Sequence, residues 1–152
     1  MAVTLTSEEQ ELVLEEVRAF GAVLQEAGEE ARYRALAEAV ERGEVPDDAL
    51  GLLGQILGIG LQTGRIRKLH RASGEQALLR VFARTPAGAA HHRALAELNR
   101  ALEQLAGQRI EAVRATARVP GSYLLLISTE DCELTLRFTP DEAGVESVAV
   151  GV

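Results

Sequence analysis

A single cysteine, Cys132, a single lysine, Lys68, no tryptophan and an aromatic share of 3% are the scarcities of this 152-residue chain. One thiol cannot close an internal disulfide, which excludes a small scaffold held together by cross-links. So few aromatics leave little to stack on single-stranded nucleic acid, and a pI near 5.0 opposes association with phosphate backbones. The longest apolar run lies around residues 50–61 and is interrupted by Gln55. It falls short of the about 20 apolar residues that span a bilayer. The opening residues, MAVTLTSEEQELVLEE, carry neither the basic nor the apolar region of a secretory signal. A cytoplasmic protein with no membrane partner is therefore expected. Arginine supplies 15 of the 16 basic residues, a skew typical of GC-rich coding sequence and suggestive of a bacterial source.

Hydrophobic residues make up 47% of the chain, a normal globular share, and the length is enough to bury a core without metal or disulfide. The net charge of −7 is unevenly distributed. Residues 1–50 carry −9, residues 51–100 carry +6 and residues 101–152 carry −4. Segments of opposite sign attract one another within one chain or between two copies.

Helical periodicity dominates the first two-thirds. Ser7 and Gln10 fit a capping box for a helix over residues 8–27, whose stripe is Val13, Val17, Phe20, Leu24 and Ala27, with Gly28 at its end or at a bend. A second helix is expected over 29–42, closed by Gly43 and Pro46. A third begins after Asp47 or Asp48 and runs to about Leu57. Gly51, Gly54 and Gly58 recur along it, and since each costs about 1 kcal/mol relative to alanine, they suggest close approach of a neighbouring backbone. Residues 58–64, GIGLQTG, read as a loop, and Ile66 and Leu69 favour a short helix over 65–72. Ser73 and Gln76 form another capping box, opening a helix to about Arg84. Thr85 caps the next helix, with Pro86 at its first position; Leu95, Leu98, Leu102 and Leu105 form its stripe and Gly107 closes it.

From Val113 the period becomes 2. Val113, Ala115, Ala117 and Val119 alternate with Arg and Thr, Pro120-Gly121 forms a turn, and residues 123–127 are apolar throughout, as in a strand covered on both faces. Cys132, Leu134, Leu136 and Phe138 alternate with polar residues, and a last strand follows from Val145. The expected fold is α+β: about five N-terminal helices, then a four-stranded antiparallel meander with the long helix packed on the sheet. A long helix followed by four meandering strands is similar in architecture to cystatin-like folds, a likeness of element order alone. Residues 1–84 form a helical region and 85–152 a helix plus sheet, together one compact unit.

Candidate chemistry is sparse. Gly58, Gly60 and Gly64 have the outline of a dinucleotide-binding turn, but a helix precedes them where that motif needs a strand. His91 and His92 are adjacent, whereas helical metal chelation uses i and i+4, so no metal and no cofactor are expected. Cys132 is in phase with core residues and reads as a small hydrophobe rather than a nucleophile. The pairs Glu8-Glu9, Glu29-Glu30 and Asp47-Asp48 sit at helix starts, where the dipole favours them, and Glu15-Glu16 is expected to face water. The aromatics all fall on apolar faces or in the sheet.

The distinctive segment is Arg65, Arg67, Lys68, His70 and Arg71, five basic-type residues within seven and no acid among them. It is the candidate site for an anion or an acidic partner, against the plainer reading of a solvated face that balances the acidic helices. With no catalytic constellation in view, the reading favours a non-enzymatic interaction protein, a homodimeric adaptor, chaperone-like or regulatory subunit. Its partner would be another protein or a second copy. A small-molecule domain or enzyme with a pocket for an acidic ligand between sheet and helices is the second reading. A nucleic-acid-associated factor is the third.

Overall fold

The computed structural model describes residues 1–23 and 26–151. Among them, five α-helices precede a four-stranded antiparallel sheet, as the change of period anticipates. The chain divides into two compact units, Met1–Ala89 and Ala90–Val152.

The first unit is helical. Helix α1 spans Ser7–Gly21, α2 Ala27–Glu41, α3 Leu50–Gln62 and α4 Arg65–Ala83. Helix α5, Pro86–Glu103, begins here and continues into the second unit. Two short strands, β1 (Val3–Thr4) and β2 (Glu44–Val45), pair antiparallel, a detail with no periodic signal in so few residues. The core gathers Val13 and Val17 of α1, Leu36 and Val40 of α2, Leu53, Ile56 and Leu57 of α3, and Ile66, Leu78 and Val81 of α4.

Several boundaries differ from the periodic reading. The capping box of α1 is Thr6 with Glu9, not Ser7 with Gln10: the Glu9 N–H donates to Thr6 Oγ1 and the Thr6 N–H donates to Glu9 Oε2. Gln10 instead donates to the carbonyls of Val40 and Glu41, closing the far end of α2. Helix α1 ends at Gly21, Ala27 and Gly28 belong to α2, and Leu24 lies outside the described residues. A 3₁₀ turn, Asp47–Ala49, leads into α3, which continues through Gly58 and Gly60 where a loop is expected. The close approach suggested by the glycines occurs at Gly54, where a Cβ would fall 2.9 Å from Thr85 Oγ1 and 3.1 Å from Ala87 Cβ. Thr85, 1% exposed, caps α5: its hydroxyl donates to the Phe82 carbonyl and accepts the Gly88 N–H.

The second unit packs α5 on a meander of β3 (Ile110–Val119), β4 (Ser122–Thr129), β5 (Cys132–Phe138) and β6 (Ala143–Val150), in the order β3-β4-β5-β6. Leu98, Ala101 and Leu102 of α5, with Leu105 of the turn that follows it, meet Leu125, Leu134, Leu136, Phe138 and Val145. Leu95, expected in the stripe, is half exposed. Tyr123, read as a sheet residue with nothing left over, is 53% exposed. The register pairs Leu125 with Ala115 and Leu136, placing all three on the helix-covered face. Leu124 pairs with Thr116 and Arg137 on the other face. There Arg137 holds Glu142 at 3.0 Å and Glu146 at 3.4 Å, and Arg118 reaches Glu146 at 3.8 Å. The second cover that residues 123–127 call for is supplied in part by this ionic strap.

Candidate functional site

The basic segment occupies the first two turns of α4, and its five members part into two groups. Arg65 and His70 turn inward onto Glu16 of α1. Glu16 is fully buried, which corrects the expectation that Glu15-Glu16 faces water: only Glu15 does. The Arg65 guanidinium bonds Glu16 Oε2, and His70 Nε2 lies 2.8 Å from Oε1. A carboxylate only accepts, so Nε2 is the protonated ring nitrogen in this contact. The His70 side chain is 6% exposed, and its Nδ1 lies 3.8 Å from Glu15. Arg65 also stands over the Phe20 ring, 5.6 Å from its centroid. A charge this deep needs both partners, because an isolated buried carboxylate is far too costly.

Two glycines make the room. A Cβ on Gly60 would meet Ile66 Cδ1 at 2.8 Å and Glu16 Oε2 at 3.3 Å, and a Cβ on Gly74 would collide with His70 Cβ. Between His70 and Gly74 the helix breaks at Arg71, whose φ of 58° and ψ of −167° lie in a region that glycine alone adopts without strain. The helix expected at 65–72 and that expected after Ser73 are thus two halves of α4 joined across this kink.

Arg67, Lys68 and Arg71 face outward and are exposed. Arg67 reaches Glu75 at 3.6 Å, an exposed pair worth little. Lys68 and Arg71 have no side-chain partner among the described residues. Leu69, whose spacing from Ile66 favours the helix, is 54% exposed. The outward group is therefore three cations, with Leu69 exposed in the same segment.

The other candidates supply no site. His91 and His92 hold their rings 6.4 Å apart at an interplanar angle of 67°. No cluster of three or more His, Cys, Asp or Glu suited to a metal occurs among the described residues. Cys132 is buried on β5 in phase with Leu134 and Leu136, and its N–H donates to Thr129 Oγ1. A cleft of about 350 Å³ lies between α1 and α2, lined by Tyr33, Arg34 and the Arg18–Glu41 ion pair. No described helix is long and apolar enough to cross a membrane. Comparison with protein-family models, with curated proteins and with solved structures found no match.

Proposed function

We propose that this chain is a non-enzymatic protein-interaction module, a homodimeric adaptor or regulatory subunit, that presents Arg67, Lys68 and Arg71 to an acidic protein surface. One observation carries the reading. Arg65 and His70 are consumed by Glu16, so they pin α4 to α1, while Arg67, Lys68 and Arg71 are exposed and Arg67 alone of them reaches an acid, Glu75. Partner recognition commonly sets charge of one sign on one surface against the opposite sign on the other. Arg65 and His70, part of the same basic run, act as supports rather than as contacts.

The test separates the two groups. Arg67→Gln, Lys68→Gln and Arg71→Gln together should abolish binding of an acidic probe, a poly-glutamate peptide, and leave thermal stability within a few degrees of the parent. Binding that survives all three changes removes the ridge from the account. Duplex DNA bound in place of the peptide, with a steep salt dependence, would move the protein to the nucleic-acid class.

A further inference from the structure

We propose that the acidic surface met by the basic ridge of α4 is helix α1 of a second copy: about a two-fold axis, Lys68 and Arg71 of each chain face Glu8 and Glu11 of the other. This rests on the reading of the chain as a homodimer with a basic recognition ridge, and it names the partner of that ridge.

The charges of α1 and α4 can be followed one by one. On α1, Glu9 is held by Arg84, Glu16 by Arg65 and His70, and Arg18 by Glu41. Glu15 lies 3.8 Å from His70 Nδ1. On α4, Arg67 reaches Glu75, and Arg80 lies near enough to Glu9 to favour its ionised form. Two acids remain on α1, Glu8 and Glu11, and two cations on α4, Lys68 and Arg71. All four are exposed, and none has an ion-pair partner among the described residues. The plainer role of the ridge, direct balance of the acidic helices of its own chain, therefore has no contact behind it at Lys68 or Arg71.

Their placement suits a closed pair. Helices α1 and α4 pack against one another and run in opposite directions. Glu9, near the start of α1, meets Arg84 just past the end of α4, whereas Glu16 meets Arg65 and His70 near its beginning. Glu8 and Glu11 thus lie toward one end of this two-helix layer, and Lys68 and Arg71 toward the other. The acids also border the seam between the helices. Glu8 stands one turn before Leu12, whose Cδ2 lies 3.7 Å from where a Cβ on Gly74 would be.

A two-fold axis across that seam exchanges the two ends. The acids of each copy then meet the cations of the other, the contact forms twice, and the assembly closes on itself. Opposite signs attract at both contacts, and the leftover acids and cations match two to two. Exposed ion pairs are individually weak, so doubling the contact matters. Leu69, 54% exposed in the cationic segment, adds an apolar side chain for the interface to bury.

A charge swap tests the pairing. Glu8→Lys with Glu11→Lys makes both patches basic, and Lys68→Glu with Arg71→Glu makes both acidic. Each double variant should weaken self-association about tenfold or more, because like charges then oppose one another at both contacts. An equimolar mixture of the two variants should form a heterodimer at least as tight as the parent dimer. Sedimentation equilibrium gives the dissociation constants, and circular dichroism with thermal melts confirms that each variant is folded. The four positions lie outside the buried Glu16 cluster, and Arg71→Glu keeps the Cβ at the kink. A parent protein that stays monomeric at high micromolar concentration overturns this interface and the homodimer reading; poly-glutamate binding through the ridge would then point to a different acidic protein. A parent dimer that neither swap weakens, or two weakened variants that do not associate when mixed, overturns the interface alone.

Discussion

His70 Nε2 lies 2.8 Å from Glu16 Oε1, a contact between residues 54 positions apart that ends one residue before the α4 backbone breaks. The carboxylate it touches is fully buried, and the other oxygen of that carboxylate is held by Arg65. This cluster fastens the basic segment to the acidic first helix.

Removing the carboxylate should therefore be severe. Glu16→Ala leaves Arg65 and His70 facing a void and should cost about 3–5 kcal/mol of folding stability, the usual penalty for breaking a buried pair from one side. Replacing Glu16, Arg65 and His70 together by Leu, Met and Phe removes every charge at once and should recover most of that loss. Urea unfolding of the parent and both variants measures the two effects. A loss below about 1 kcal/mol for Glu16→Ala would mean that solvent reaches the carboxylate.

The strain at Arg71 leads to the opposite sign. Its φ of 58° and ψ of −167° cost a side-chain-bearing residue on the order of 1–3 kcal/mol, and glycine adopts them freely. Arg71→Gly should raise stability by about 1 kcal/mol after the greater entropy of the unfolded glycine chain is deducted. Arg71→Ala, which removes the charge but keeps the Cβ, should not. Thermal melts of the two variants distinguish backbone relief from charge removal. Equal effects would assign the change to the charge.

The helix-to-sheet order, the Thr85–Pro86 start of α5 and the alternation of β5 were legible because each is set by neighbours in the chain. Pro86 tolerates a missing hydrogen bond only at a helix start, and Cys132, Leu134 and Leu136 alternate because one face is buried. Glu16 was hidden because its partners are distant: Arg65 and His70 lie 49 and 54 residues away. One local signal existed. Glu16 stands three residues after Val13 and four before Phe20, on the stripe that faces the core. The expectation that the Glu15-Glu16 pair lies across the stripe from Val13 and Val17 holds for Glu15 and fails for Glu16. Gly60 misled for a related reason. It ends no helix; it admits Ile66 and the Glu16 carboxylate, neighbours that only the folded chain brings there. The edge character of β3 was equally illegible, since Val113, Ala115 and Ala117 alternate as a half-buried strand does, yet all are exposed.

Glu9 carries the acid sensitivity that the structure assigns to one residue. Burial pushes its carboxyl upward, but the Arg84 guanidinium 2.7 Å away, the Thr6 N–H and the nearby charge of Arg80 outweigh burial and hold it below its ordinary value of 4.5. A depressed folded value stabilises the fold above the unfolded value, where Glu9 is ionised in both states. The contribution fades as the pH falls below about 4.5 and is gone beneath the lower folded value. At pH 7, Glu9→Gln should cost about 1.5–3 kcal/mol, the scale of hydrogen bonds to a charged group. Urea midpoints of parent and variant at pH 7, 5, 4 and 3 should converge as acid is added, because the other carboxylates are common to both. A gap that stays constant down to pH 3 would show that Glu9 acts through shape and not through charge.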